Sequence, residues 1–100
     1  FPDEKKYQFN TYHTFVVQVN KRDSLIKFLK KNKISTAIHY PIPIHLQPAA
    51  KYLKYKKGSL KNTEKQSKKI LTLPINQYLK DSEIKFISKK INLFFKQNKK

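Results

Sequence analysis

The sequence predicts one small α+β (α/β) domain in which a short, mainly antiparallel sheet is covered on one face by helices. One hundred residues suffice for a single modest hydrophobic core. Apolar residues alternate with polar ones in one segment and recur at helical spacing in two others, so the chain holds both strands and helices. Aromatic residues make up 13% of the sequence, which supplies large side chains for burial and argues against disorder. We therefore expect the sheet to pack mainly against the first and last helices.

The first strand is predicted over residues 12–19, where side chains alternate between two faces. One face carries Phe15, Val17 and Val19. The other face carries Thr14, Val16 and Gln18. Because this second face is half apolar, we expect it to pack on something outside the chain. Two further short strands are predicted, over residues 34–39 and 71–75.

Two amphipathic helices accompany these strands. The first follows the polar turn 20–23 and ends near Asn32, with an apolar stripe made of Leu25, Ile26, Phe28 and Leu29. The last begins near Asp81 and Glu83, whose carboxylates favour a helix N-terminus. Its apolar face consists of Ile84, Ile87, Ile91, Phe94 and Phe95.

Two shorter helices are predicted between them. Pro48 suits the first turn of a helix that runs to Leu53. Thr63 and Gln66 stand at the spacing of a capping box, which predicts the start of a surface helix ending near residue 71.

Residues 38–48, which we call the proline loop, cannot be helical in their middle. Pro41 and Pro43 force the residues before them toward extended conformations and remove two backbone donors, so a rigid, extended loop is predicted. Such a backbone presents its polar side chains with little entropy left to lose on binding. The candidate ligand-binding side chains are His39, Tyr40, His45 and Gln47. Alternatively these side chains are merely solvated while the apolar residues of the loop pack inward, namely Ile38, Ile42, Ile44 and Leu46.

The formal charge of +17 favours a polyanionic partner, usually nucleic acid. Of the 23 basic residues, however, only Arg22 is an arginine, and base readout favours the planar donors of arginine. The lysines are also spread along the whole chain. A surface composition biased toward lysine, as an AT-rich genome would encode, explains the same charge.

The sequence lacks the residue patterns of several enzyme classes. It has no cysteine, which excludes disulfides and thiolate nucleophiles and fits a reducing cytoplasm. Its one glycine, Gly58, excludes a glycine-rich phosphate loop, and no apolar run approaches the roughly 20 residues that span a bilayer. His13, His39 and His45 lack helical metal-pair spacing and carboxylate companions, so neither a metal site nor a catalytic constellation is expected. His13 lies on the Phe15 face of the first predicted strand, where a packed or hydrogen-bonded histidine is favoured over a functional one.

Three stretches of the sequence closely resemble one family. They are Arg22-Asp23-Ser24-Leu25, the run from Ile34 to Gln47, and Leu73-Pro74-Ile75. From Thr36 onward the second stretch matches Thr-x-x-His-Tyr-Pro-x-Pro-x-His-x-Gln. It is followed by a Tyr-x-x-Gly-like segment and a Thr-Glu helix start. In this order the elements are similar to the C-terminal domain of the DegT/DnrJ/EryC1/StrS aminotransferases, which aminate nucleotide-linked keto-sugars.

The resemblance implies that residues 1–100 are the C-terminal small domain of a longer fold-type-I enzyme, normally a homodimer. The lysine that binds pyridoxal 5'-phosphate and the acid that pairs with its pyridinium nitrogen belong to the large domain, which this chain lacks. In the whole enzyme the cofactor is the electron sink while an amino group passes from an amino acid, typically glutamate, to the keto-sugar. His39 and Tyr40 are then expected to contact the sugar nucleotide, with His45 and Gln47 as further candidates. The chain alone is not expected to be active.

Two departures from the family pattern concern local geometry. The family often has Gly-Asp-Phe-Pro where this chain has Gly58-Ser59-Leu60-Lys61, and commonly a glycine where this chain has Lys33.

Two other functions stay open: a basic nucleic-acid-binding module, and a relative that binds a sugar nucleotide without catalysis.

Overall fold

The computed structural model describes residues 3–98 and shows a two-stranded antiparallel sheet with helices. The strands are β1 (Phe15–Gln18) and β2 (Ile70–Leu73). The α-helices are α1 (Arg22–Lys31), α2 (Lys61–Ser67) and α3 (Asp81–Gln97). Two 3₁₀ helices lie between α1 and α2, at Ile44–Leu46 and Pro48–Leu53. The predicted fold class, a small α+β unit with an antiparallel sheet, is confirmed.

The sheet is narrower than predicted. β1 and β2 pair from Phe15 opposite Leu73 to Gln18 opposite Ile70. The strand predicted over residues 34–39 is wrong, because only Ala37 pairs there, through two backbone hydrogen bonds with Thr72 of 2.8 and 3.1 Å. The prolines that follow direct the chain away after His39, which leaves one residue able to bridge.

The hydrophobic core lies between α1, α3 and the inner face of the sheet. Its buried residues are Leu25, Leu29, Ile34, Leu71 and Phe94. Burying a leucine or phenylalanine side chain fully contributes roughly 1.5–3 kcal/mol. α1 and α3 meet where the rings of Phe28 and Phe94 pack 5.5 Å apart. The predicted apolar faces of both helices are confirmed, except that Ile84 in the first turn of α3 is 47% exposed.

The helix starts follow the sequence prediction for α3 but not for α2. α3 begins at Asp81, and the Glu83 carboxylate accepts a hydrogen bond of 2.8 Å from the backbone N–H of Lys80. The capping box predicted at residues 63–66 is wrong, since α2 begins at Lys61 and the Glu64 carboxylate accepts from the N–H of Leu60 instead. A carboxylate is a stronger hydrogen-bond acceptor than the hydroxyl of Thr63, so Glu64 accepts from the free backbone amide at this helix start.

Among residues 3–98, four residues other than glycine have a positive φ, between 48° and 60°. They are Tyr12, Lys21, Lys33 and Lys54. Lys33 stands after the end of α1, where the resembling family commonly has glycine, and its φ of 60° gives the physical reason for that preference. Gly58 has a φ of 93°, which also suits glycine.

None of the helices within residues 3–98 combines the length and the apolar character needed to cross a membrane.

Candidate functional site

The proline loop joins the bridge at Ala37 to the 3₁₀ helix that starts at Pro48, and His39 stands at its first end. The His39 Nδ1 atom lies 2.9 Å from the Thr72 hydroxyl oxygen on β2, and Thr72 is buried. Because the Nδ1 atom is engaged, Nε2 is the ring nitrogen left for another partner. β2 therefore holds an exposed imidazole in a defined orientation.

Tyr40 is exposed, with 67% of its surface accessible. Its ring stands edge-on to that of His39, with the ring centroids 5.4 Å apart, and the peptide bond between the two residues is cis. An aromatic ring with a terminal hydroxyl next to an imidazole suits a ligand that is flat in one part and hydroxylated in another.

The other end of the loop is held inside the protein. His45 is only 6% exposed, and its Nε2 atom lies 3.1 Å from Oε1 of Glu64 on α2. A carboxylate can only accept, so Nε2 carries the proton. The ring of Tyr55 packs edge-on against the imidazole, with the centroids 6.0 Å apart. In this chain His45 is an internal contact between the loop and α2, and its predicted role as a substrate contact stays a prediction.

Glu64 joins three segments through one carboxylate. Besides His45, it accepts from the backbone N–H of Gly58 at 2.8 and 2.9 Å and from that of Leu60 at 3.3 Å. The hydrogen bond from His45, followed by those from the two amides, holds the pKa of the Glu64 carboxyl below its ordinary value, against the opposing effect of burial. The group is therefore ionised at neutral pH, so both of its oxygens can accept hydrogen bonds.

Gln47 closes the loop on itself. Its side-chain nitrogen donates to the carbonyl oxygen of Ile42 at 3.2 Å, and the backbone forms a 3₁₀ turn over Ile44–Leu46. The prediction that the loop is extended throughout is wrong for this half, because Pro41 and Pro43 constrain only the residues before them. The carbonyl of Pro43 is free to accept from the N–H of Leu46, at 2.9 Å.

The alternative in which the loop's apolar residues pack inward fails for two of them. Ile42 is 49% exposed and Ile44 is 74% exposed. Ile38 and Leu46 are half-buried. The loop therefore presents apolar and polar side chains to the same solvent, as ligand-binding surfaces do.

His13 lies apart from the loop. It precedes β1, which starts only at Phe15, so the strand does not hold it against the core and its side chain is exposed. The expectation that His13 packs on the Phe15 face of the strand is wrong for this reason. His13 lines an open cleft of mixed polarity, together with Tyr12, Ile75 and Asn76. Within residues 3–98, no three histidine or acidic side chains come together in a way that could hold a metal ion.

Two residues that organise the site were missed from the sequence, Thr72 and Glu64. Nothing in the sequence marks Thr72, because its contact with His39 depends on the strand pairing. Glu64 has a signal, since it is the only acidic residue between Asp23 and Asp81 in a stretch rich in lysine. A single carboxylate in a stretch rich in lysine is a good candidate for a specific hydrogen-bonded contact.

Comparison with known proteins places the chain in a family. The sequence profile of the DegT/DnrJ/EryC1/StrS aminotransferase family matches residues 1–92. The chain is 37% identical over 95 residues to the pleiotropic regulatory protein of Geobacillus stearothermophilus, covering 95% of this chain and 26% of the relative. It is 38% identical over 68 residues to the dTDP-3-amino-3,4,6-trideoxy-alpha-D-glucose transaminase of Streptomyces venezuelae, covering 68% of this chain and 18% of the relative.

The fold is also similar to that of a solved structure, the X-ray crystal structure of S. venezuelae DesV in complex with a ketimine intermediate. The TM-score is 0.78 and the identity 31%, over 83% of this chain and 22% of DesV. The chain thus spans between 18% and 26% of the length of these relatives. With its profile match over residues 1–92, the chain belongs to the DegT/DnrJ/EryC1/StrS aminotransferase family.

Proposed function

We propose that the protein containing this chain is a pyridoxal-phosphate-dependent aminotransferase. It transfers an amino group from an amino acid, glutamate in our proposal, to a nucleotide-linked keto-sugar in the biosynthesis of cell-surface polysaccharides or amino sugars. The family match carries the proposal, and relatives named as transaminases of nucleotide-linked sugars support it. We further propose a cytoplasmic homodimer in which this chain is the C-terminal small domain.

Within that enzyme, the chain contributes one side of the substrate site. The exposed pair His39 and Tyr40 supplies an imidazole nitrogen and a phenol for the hydroxyl groups and ring faces of a sugar nucleotide. Gln47, in the same loop, is half-buried and already donates a hydrogen bond to the backbone of Ile42, so it is a weaker candidate for a substrate contact. His45 acts in this proposal through the loop and not by direct contact.

The described residues do not by themselves fit the cofactor. A pyridinium nitrogen needs a free buried carboxylate, and Glu64 carries the only carboxylate within residues 3–98 that is even half-buried. Its oxygens are already engaged by His45, Gly58 and Leu60. We therefore assign no step of the cofactor chemistry to this chain and propose that the rest of the protein binds pyridoxal 5'-phosphate.

The test uses the intact protein supplied with pyridoxal 5'-phosphate, a keto-sugar nucleotide and glutamate. We expect the absorbance of a bound aldimine and amination of the sugar. His39→Ala and Tyr40→Ala should each raise the KM for the sugar nucleotide about tenfold, which corresponds to the loss of one good hydrogen bond or ring contact. Tyr78→Ala is the matched control, because Tyr78 is 82% exposed and lies outside the proline loop.

The outcomes separate the parts of the proposal. Intact protein that never takes up pyridoxal 5'-phosphate contradicts the aminotransferase assignment. An active enzyme whose KM is unchanged by both loop substitutions contradicts the assignment of His39 and Tyr40 alone.

A second candidate is a non-catalytic relative that binds sugar nucleotides. The match to a protein named a pleiotropic regulatory protein, over 95% of this chain, favours it. It predicts sugar-nucleotide binding by protein that takes up no cofactor.

The nucleic-acid alternative predicts binding to nucleic acid that weakens steeply as the salt concentration rises. It has less support, because lysines occur on all three helices and in the loops between them.

A further inference from the structure

We propose that Glu64 is a positioning residue for the substrate contacts of the proline loop, acting through His45. This inference rests on the function proposed above. Glu64 lies on α2, outside the loop, and touches no residue that we assign to the substrate. Its effect on the substrate would pass through the geometry of the loop alone.

The proline loop is fixed at two points by side chains of other elements. At the first end, the Thr72 hydroxyl of β2 holds His39 at 2.9 Å. At the second end, the Glu64 carboxylate of α2 holds His45 at 3.1 Å. Only residues 40–44 lie between the two points, and two of them are prolines. A segment so short and stiff transmits a change at one end to the other, so releasing His45 should also loosen Tyr40.

The contact at the second end is buried and specific. The side chains of His45 and Glu64 are 5% and 14% exposed, so water competes little for their hydrogen bond. The same carboxylate also fixes the amides of Gly58 and Leu60, just after Tyr55, whose ring packs on His45. Glu64 thereby sets both the position of His45 and the position of one of its neighbours.

An ionised carboxylate is the group that this arrangement requires. All its partners donate, namely the Nε2–H of His45 and two backbone amides. A glutamine side chain has the same shape but would turn an NH₂ group toward at least one donor. Oε1 accepts from all three donors and Oε2 accepts from Gly58 as well, so in either orientation of the amide at least one donor faces an NH₂ group. Glu64→Gln therefore weakens this set of contacts with almost no change in volume.

A merely structural role is the competing explanation, because Glu64 also satisfies amides at the start of α2. Loss of such a role would lower the folded fraction, and so kcat, without changing KM. Loss of a positioning role changes the loop in molecules that remain folded, and so raises KM. The split between KM and kcat distinguishes the two.

The experiment compares Glu64→Gln with Glu83→Gln in the intact protein. Glu83 is the matched control, because it also accepts from a backbone N–H at a helix start but lies on α3, outside the loop. In Glu64→Gln we expect hydrogen exchange in residues 39–47 to become about tenfold faster and the KM for the sugar nucleotide to rise about tenfold, with kcat within twofold. In Glu83→Gln neither quantity should change.

A second pair of variants covers the case in which Glu64→Gln does not fold. His45→Ala should reproduce the faster exchange, whereas His45→Gln can still donate toward Glu64 and should restore most of the protection. Unchanged exchange in residues 39–47 in both Glu64→Gln and His45→Ala overturns the proposal. The exchange measurement decides this even if the wild-type protein shows no transamination, an outcome that would count only against the proposed function.

Discussion

Two regions of this small protein are held together by different physical means. In the helix–sheet region, α1 and α3 bury leucine, isoleucine and phenylalanine side chains against the sheet, and three leucines are completely inaccessible. In the loop region, residues 39–60, only His45 and Ala50 are buried. This second region is held by a hydrogen bond between His39 and Thr72 of β2 and by one that His45 donates to Glu64 of α2.

The difference teaches what each kind of contact specifies. Apolar burial contributes most of the folding free energy but tolerates sliding and repacking. Hydrogen bonds contribute less and fix distances and directions. We therefore expect substitutions in the helix–sheet region to change stability, and substitutions at the two loop contacts to change binding.

The largest effect is expected for Leu29→Ala. Leu29 is completely buried in α1, and truncation of such a side chain should lower the free energy of unfolding by about 2–5 kcal/mol. Ile44→Ala in the loop region is the comparison, because Ile44 is 74% exposed and should change it by less than about 0.5 kcal/mol. Chemical denaturation measures both. Equal destabilisation by the two substitutions would contradict the division into two regions.

Arg22→Met tests a polar contact between α1 and the end of α2, outside the loop region. The Arg22 guanidinium donates to the carbonyl oxygen of Ser67 at 2.6 Å and so ties α1 to the end of α2, while methionine keeps the apolar stem. Loss of this charged hydrogen bond should lower the free energy of unfolding by about 1.5–3 kcal/mol. Lys21→Met is the control, since Lys21 makes an exposed hydrogen bond to Asn98 that should contribute under about 1 kcal/mol.

Thr72→Val sharpens the comparison, because Thr72 belongs to both regions. The backbone of Thr72 pairs in the sheet, whereas its hydroxyl holds His39. Valine keeps the shape and the strand preference, so stability should fall by no more than about 1 kcal/mol. In the enzyme that we propose, the KM for the sugar nucleotide should rise about three- to tenfold in steady-state kinetics. Thr63→Val, an exposed change on α2, should leave KM unaltered.

The smallest effect concerns pH. The pKa of the Glu64 carboxyl is lower in the folded protein than its ordinary value of 4.5, so the carboxylate stabilises the fold above that value. This contribution is lost as the pH falls through the folded pKa, below 4.5. The groups that face Glu64 are His45 and the amides of Gly58 and Leu60.

Thermal unfolding of wild type and Glu64→Gln, measured from pH 7 down to pH 3, tests this pH dependence. The two curves should differ at neutral pH and converge in acid. A difference that persists unchanged to pH 3 would show that the carboxylate charge plays no part.

The sequence predicted the helix–sheet region well because its signal is periodic. The stripe around Leu25 and Leu29 and the face containing Phe94 follow from spacing alone, and both are buried in the structure. The two prolines correctly excluded an α-helix around Pro41. Beyond Pro43, however, the chain forms a 3₁₀ turn over Ile44–Leu46, which depends on a local hydrogen bond that composition does not predict.

The site was less predictable because it depends on pairs of residues far apart in the sequence. His39 meets Thr72 across 33 positions, and His45 meets Glu64 across 19 positions. No local pattern encodes either pair. The family resemblance pointed to His39 and Tyr40, but only the folded chain distinguishes an exposed candidate such as Tyr40 from a buried one such as His45.

The four non-glycine residues with positive φ have a practical consequence for protein engineering. Three of them are lysines, in a chain that contains a single glycine. A left-handed backbone conformation disfavours any residue that carries a Cβ atom, and glycine relieves that steric cost. Lys33, Lys21 and Lys54 are thus positions where glycine should relieve backbone strain, while also lowering a charge that promotes non-specific binding.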